Sequence, residues 1–258
     1  MSEDLLYNVR DGIGHIVFNR PQARNAFTLE MYYGLADICA DVPTDGSVKA
    51  IIMTGAGDKA FGSGTDMTQF RGFSTPEDAW AYEDKMEEVL SKIERCPVPT
   101  IAAINGACTG GGAAIAACCD LRLASANLKF GFPIARTLGN CLSASNLRRL
   151  TSLLGAGRLR DIMFTARLIE ADEALAIGMI SEKTETVEEL QQRALAVAEK
   201  VAGHAPLTLR ATKEAMRRNA SGEPVDDRDL IELCYMSGDF KEGMEAFLAK
   251  RKPDWKGR

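Results

Sequence analysis

At 258 residues the chain can bury a sizeable core, as one large domain or as a domain with a smaller appendage. A net charge of -5, with 46% hydrophobic and 26% charged residues, excludes a global pull toward nucleic acid or anionic membrane, so an anionic ligand needs a local basic patch. The start MSEDLLYNVRDG does not read as a secretion signal, no apolar run is long enough to span a bilayer, and the expected compartment is the cytoplasm.

Strand and helix signals alternate through the first half. Gly12 to Phe18 reads as a strand. Thr28 then reads as the N-cap of a helix through Cys39, with Glu30 in its first turn. Val48 to Met53 is a short β-branched run closed by Thr54-Gly55, hence a buried strand. Thr75-Pro76 opens a long helix whose apolar stripe is Ala79, Tyr82, Met86, Val89, Leu90 and Ile93, and Cys96-Pro97 stops it. Tyr82 lies on that stripe and is expected in the core. Glu83 lies off it and is expected on a solvated face. Pro99–Ile104 and Asp120–Ala124 are further strands.

From about Ser143 the signals are nearly all helical. Helices are predicted over Ser143–Leu154, Arg158–Thr165, Ala171–Ile177, Val187–Val201, Pro206–Arg218, Asp226–Met236 and Asp239–Arg251. The pattern predicts an α/β core over 1–200 and a C-terminal helical subdomain over 201–258. The seven cysteines form no CxxC and are expected to be buried free thiols. With only His15 and His204 in the chain, a zinc site has little to draw on, and no metal is expected.

The most informative stretch runs from Ile104 through Asn105-Gly106 and Gly110-Gly111-Gly112 to Ala116. A buried strand enters three glycines and then an alanine-rich helix. Glycines allow close approach to the backbone, and the free N–H groups of a first helical turn suit a developing negative charge. A tight turn made only for packing explains the triplet equally well. No GxxxxGK[ST] or GxGxxG pattern is present there. A second small-residue turn, Ser63-Gly64-Thr65-Asp66, follows an earlier strand. Two such turns can each aim one N–H at the same oxygen, which is an oxyanion hole.

Asn105-Gly106-x-x-x-Gly110-Gly111-Gly112 together with Ala60-Phe61-x-x-Gly64-x-Asp66 resembles the enoyl-CoA hydratase/isomerase (crotonase) family. So do Asn19-Arg20-Pro21 with Asn25-Ala26, Cys119-Asp120-Leu-Arg, Phe130-Gly131-x-Pro133, Thr165-Ala166-Arg167, Ala171-x-x-Ala174-x-x-x-Gly178, and the tail from Asp239 to Arg251. The matches run in order from about residue 10 to residue 255. The resemblance implies a crotonase-like α/β fold, a ββα spiral core with a C-terminal helical oligomerisation subdomain. It also implies an acyl-CoA substrate in fatty acid metabolism, coenzyme A only as part of that substrate with no other cofactor, and a homotrimer or hexamer.

Residue by residue, it implies that the N–H groups of Thr65 and Gly111 hold the thioester oxygen and stabilise an enolate. Gly64, Asp66, Gly110 and Gly112 complete those two turns, and Asp66 is expected to cap the following helix. The Ser63 carbonyl falls where the adenine is received. Gln22, Ala23 and Arg24 match the segment along the CoA nucleotide. Phe247 and Lys250 match tail positions that touch CoA, often from a neighbouring subunit.

The sequence departs from the family's hydratases at both catalytic glutamates. Ala114 stands three residues after the second donor, and Ile134 follows Gly131-Phe132-Pro133. Neither side chain moves protons. Arg136, Asn140, Cys141, Ser143 and Ser145 are further polar candidates around that altered turn, with structural roles as the plainer reading. The resemblance also places Tyr82, Glu83 and Glu87 on the helix that borders the family's acyl pocket, with core packing for Tyr82 and a solvated face for Glu83 as the plainer readings. Two functions remain open. One is a thioester-processing enzyme of hydratase/isomerase type with a non-standard acid/base arrangement. The other is an acyl-CoA-binding homologue with little or no catalysis.

Overall fold

The computed structural model describes residues 3–220 and 225–258. The chain opens with an antiparallel hairpin of β1 (Leu5–Arg10) and β2 (Ile13–Phe18). Asp11 and Gly12 both take positive φ at its tip, the tight turn whose twist matches paired strands. Helix α1 (Leu29–Ala40) starts as expected: the Thr28 hydroxyl accepts the Met31 N–H at 3.2 Å. Then come β3 (Ala50–Gly55), β4 (Ala60–Gly62) and α2 (Pro76–Glu94). A capping box opens α2: Thr75 and Asp78 each accept the other's backbone N–H.

Next are β5 (Thr100–Ile104), β6 (Ala107–Thr109), α3 (Gly111–Cys118), β7 (Leu121–Ser125) and β8 (Lys129–Gly131). The short α4 (Ile134–Thr137), α5 (Ala144–Leu154), α6 (Ala156–Thr165), β9 (Ile169–Glu170), α7 (Ala171–Ala176) and β10 (Glu182–Thr184) follow. The chain ends with α8 (Val187–Ala202), α9 (Pro206–Asn219), α10 (Arg228–Tyr235) and α11 (Gly238–Leu248). The nearly all-helical second half therefore needs correction, because β9 and β10 return to the two sheets.

The larger sheet runs β1-β2-β3-β5-β7-β10, parallel after the hairpin, and the smaller runs β4-β6-β8-β9. Beyond the hairpin, β3, β5 and β7 enter the larger sheet, and the short strand after each (β4, β6 and β8) enters the smaller one. Both sheets thus advance one strand per step. Alternation along the long strands divides the core. Ile51, Met53, Ala102 and Ile104 face α1, α2 and α3, whereas Ala50, Ile52, Ile101 and Ala103 face Leu190, Ala194 and Ala198 of α8.

Three asparagines hold the corners between sheets. Buried Asn105 donates to the carbonyls of Gly55 (3.0 Å) and Gly57 (2.7 Å) and accepts the Gly55 N–H (3.2 Å). Asn25 donates to the Ala60 and Ala56 carbonyls and accepts the Arg20 N–H. Asn127 accepts the Gly106 N–H and donates to the Asp58 carbonyl. Space is tight here. A Cβ on Gly55 would lie 2.1 Å from the Ala60 oxygen.

Asp120 ties the tail to this body. It accepts the Thr100 N–H and hydroxyl and the Lys213 ammonium of α9 at 2.7 Å. Arg122 donates to the Cys119 and Ala116 carbonyls at the C-terminal end of α3, and to Met179. Cys39, Cys96, Cys108, Cys118 and Cys119 are buried and free, Cys234 is half-buried, and Cys141 is exposed.

Replacing Asn105 strands buried groups at a corner, each worth about 1–3 kcal/mol when left unpaired. Asn105→Ala is expected to lower unfolding free energy by roughly 2–4 kcal/mol in urea titrations. Exposed Asn8→Ala is expected to stay within about 0.5 kcal/mol of the unaltered protein. Equal midpoints for the two variants would contradict the corner role of Asn105.

Candidate active site

Strands β4 and β6 are neighbours, so the turns that follow them leave the small sheet side by side. These are Ser63 to Asp66 and Thr109 to Gly112. They meet backbone against backbone: a Cβ on Gly110 would lie 3.3 Å from Gly64 Cα, and one on Gly64 would lie 3.9 Å from the Gly111 nitrogen. Gly64 has φ +110, and Gly110 has φ +53 with ψ -121, conformations that suit glycine. Gly111 and Gly112 are required for space. A Cβ on Gly111 would lie 1.8 Å from the Tyr32 hydroxyl, and one on Gly112 would lie 2.2 Å from the Gly62 oxygen. Packing thus accounts for part of the triplet.

Surrounding bonds fix both turns. Phe27 donates its N–H to the Gly64 carbonyl (2.9 Å) and accepts the Asp66 N–H (2.8 Å). Gly110 donates to the Gly131 carbonyl at 3.1 Å, and the Thr109 hydroxyl donates to the Ser63 carbonyl at 3.1 Å. Among the described residues, the N–H groups of Thr65 and Gly111 have no hydrogen-bond partner. That of Gly111 opens α3, where the helix dipole is positive.

A chain of three hydroxyls lies against these turns. Thr65 Oγ1 is 2.9 Å from the Tyr32 hydroxyl and 2.8 Å from the Tyr82 hydroxyl. Burial pushes both phenols up, so they remain neutral hydroxyls. Tyr82 also packs edge-on against Phe70 and Phe73, so its core role and its polar contact coexist.

The turns form one wall of a 510 Å³ cavity. Ala23, Ser63, Gly64, Thr65, Asp66, Gly110 and Gly111 all line it, which brings together most of the residues expected at the site. Gly112 is buried behind the wall. Gln22 and Arg24 do not line the cavity. They are exposed on the adjacent 3-10 turn, and the Arg24 carbonyl accepts the Ser63 N–H. Phe247 and Lys250 are exposed on the tail, and the single chain does not bring them to the cavity. His15 and His204 do not line it either.

Much of the remaining lining is apolar, including Met86, Leu90, Phe132, Leu138 and Leu142. Ala114 and Ile134 line it with carbon only. Of the polar candidates, Asn140 and Cys141 line it, Ser143 caps α5 by accepting the Asn146 N–H, and Arg136 and Ser145 lie off the lining.

Two carboxylates line the cavity, and they differ. The Thr68 hydroxyl and N–H and the Arg20 guanidinium hold the Asp66 carboxyl below its usual range. Asp66 caps the turn Met67–Phe70 as expected. Glu83 corrects an expectation: it is half-buried on the cavity wall, not on a solvated face. Burial pushes its carboxyl up, and the negative charge of Glu87 adds to that. Glu87 is held by Arg149 of α5 in a two-pronged pair of 2.7 and 2.6 Å. Arg149 Nε also lies 3.0 Å from a Glu94 oxygen, an ion pair without hydrogen-bond alignment. Tyr32 and Asn146 were missed as wall residues. Only the spacing of Asn146 three residues after a cap and the stripe position of Tyr32 on α1 hinted at them.

The sequence matches the family model described as enoyl-CoA hydratase/isomerase over residues 8–258. It is 34% identical to a crotonyl-CoA hydratase of Syntrophomonas wolfei over 98% of each chain, and 34% identical to a short-chain-enoyl-CoA hydratase of Clostridium acetobutylicum over 92% of this chain and 91% of that one. The structure resembles an enoyl-CoA hydratase/carnithine racemase from Magnetospirillum magneticum with a TM-score of 0.91 and 33% identity, covering 100% of this chain and 97% of that one. The two interleaved sheets are the crotonase fold, and the chain belongs to the enoyl-CoA hydratase/isomerase family.

Proposed function

We propose that the protein is an acyl-CoA-processing enzyme of hydratase/isomerase type that polarises a thioester through the N–H groups of Thr65 and Gly111. The observation that carries this reading is the pair of unpartnered N–H groups on two abutting turns at one cavity wall. Preorganised neutral donors of this kind stabilise an enolate oxygen without reorganising at the moment of reaction. The apolar wall suits an aliphatic acyl chain. Ser63, Ala23, Gln22 and Arg24 lie beside one another and supply a carbonyl and a cation for the nucleotide end of CoA. No other cofactor enters the reaction.

A second reading, binding with little turnover, is favoured by Ala114 and Ile134, which leave carbon where the family's hydratases carry glutamates. Self-association is part of the proposal. Met236, Phe247 and Leu248 are 72%, 83% and 75% exposed on the C-terminal helices and their connections, apolar side chains that a symmetric partner could cover. Assembly into a trimer or hexamer would cover them and bring Phe247 and Lys250 toward a neighbour's CoA.

Titration calorimetry with crotonyl-CoA and hexanoyl-CoA is expected to show saturable binding, and the free acids are expected to bind far more weakly. Absence of binding by every acyl-CoA would overturn the reading. Gly111→Ala drives a Cβ into the Tyr32 hydroxyl and is expected to cut turnover roughly 10²-fold, the scale of one lost oxyanion donor. Tyr32→Phe added to it removes the clashing oxygen and is expected to recover part of the loss. In light scattering, the unaltered protein is expected to be oligomeric and Phe247→Asp to shift it toward smaller species.

A further inference from the structure

The proposed reaction needs a group that moves protons, and Ala114 and Ile134 do not provide one. The other polar side chains on the wall can be considered in turn. The Ser63, Thr109 and Thr137 hydroxyls donate to the carbonyls of Ala23, Ser63 and Pro133. The Tyr32, Thr65 and Tyr82 hydroxyls bond to one another and stay neutral. Asp66 is engaged by Thr68 and Arg20. Asn140 and Asn146 are amides. Cys141 is exposed and sits on the segment before α5. Glu83 remains. Among the described residues it has no hydrogen bond or ion pair to a cation. The nearby guanidinium, Arg149, is taken by Glu87 and Glu94. Glu83 also follows Tyr82 directly, and the Tyr82 hydroxyl is 2.8 Å from Thr65 Oγ1. One helix therefore brings a carboxylate to the same cavity as the Thr65 N–H.

We propose that Glu83 is the catalytic acid/base, moving one proton between carbons of the acyl chain while the Thr65 and Gly111 N–H groups hold the thioester oxygen. The proposal rests on the acyl-CoA reading above. A single carboxylate suits a double-bond shift better than addition of water, because hydration also needs a second group to activate the water. The substrate class is a β,γ-unsaturated acyl-CoA. Glu83 takes a proton from the α-carbon: the C–H bond breaks and an O–H bond forms on Glu83. The released pair becomes the bond between the α-carbon and the carbonyl carbon, and the carbonyl pair moves onto oxygen. On return, that oxygen pair re-forms the carbonyl and a double bond forms between α and β. The old β,γ pair then takes the proton from Glu83 at the γ-carbon. The carboxylate is regenerated, and no oxidant or co-reactant is consumed.

The test uses the full-length protein with vinylacetyl-CoA in deuterated water, following crotonyl-CoA formation and deuterium at the α- and γ-carbons by NMR. The unaltered protein is expected to convert the substrate. Glu83→Gln is expected to slow conversion and exchange at least 100-fold, roughly the lower bound for losing a general acid/base, with hexanoyl-CoA affinity within about twofold of the unaltered protein, a shift of roughly 0.4 kcal/mol or less. Glu83→Asp is expected to recover part of the rate, and exposed Glu88→Gln to leave it unchanged. Undiminished exchange in Glu83→Gln would overturn the role of Glu83 while leaving the acyl-CoA reading intact. Binding without conversion or exchange in the unaltered protein would also overturn it. Failure of the unaltered protein to bind hexanoyl-CoA would instead remove the reading beneath it.

Discussion

The contact on which the rest of the site depends is the one between Gly64 and Gly110, where two turns touch with no side chain between them. Their N–H groups lie on one wall only because both turns leave adjacent strands of the small sheet, paired at Ala60↔Ala107 and Gly62↔Cys108. That pairing requires β3 and β5 to advance together in the large sheet. Asn25, Asn105 and Asn127 set the corners where each long strand becomes a short one. Stability and site geometry therefore share the same bonds. Loosening a corner shifts a donor, and a Cβ on Gly110, 3.3 Å from Gly64 Cα, would crowd the contact between the turns.

The long strands and the capped helices were legible because each carries its signal locally. Thr28, Thr75 and Ser143 all cap where the sequence places them. The small sheet was not legible. Ala60–Gly62, Ala107–Thr109 and Lys129–Gly131 are too short for a period of two to show. β1 was missed because it is an edge strand with only Leu5 buried. The glycine triplet marked the site, but the reason for each glycine lies in distant segments, Tyr32 for one and Gly62 for another.

Glu83 shows a further limit. Hydrophobic periodicity divides a helix into a core face and a water face, and Glu83 falls outside the apolar stripe of α2. A cavity is a third environment. Its wall takes residues from the border between those two faces, and sequence spacing alone does not reveal it.

The register of α2 fixes both kinds of chemistry at once. Tyr82 reaches Thr65, and Glu83, the next residue, lines the same cavity. The register is held at two places. The Thr75–Asp78 box sets the start, and Arg149 grips Glu87 and Glu94 farther along. That grip also determines the electrostatics. A guanidinium paired directly with Glu83 would favour the bare carboxylate and weaken it as a base. Paired with Glu87 instead, it fixes a negative charge one helical turn away. Glu83 is left with burial and a like charge, both of which favour holding a proton. The carbon side chains of Ala114 and Ile134 on the same lining work in the same direction. With carbon there, Glu83 is the carboxylate on the described lining that no cation engages, which is the arrangement its proposed role requires.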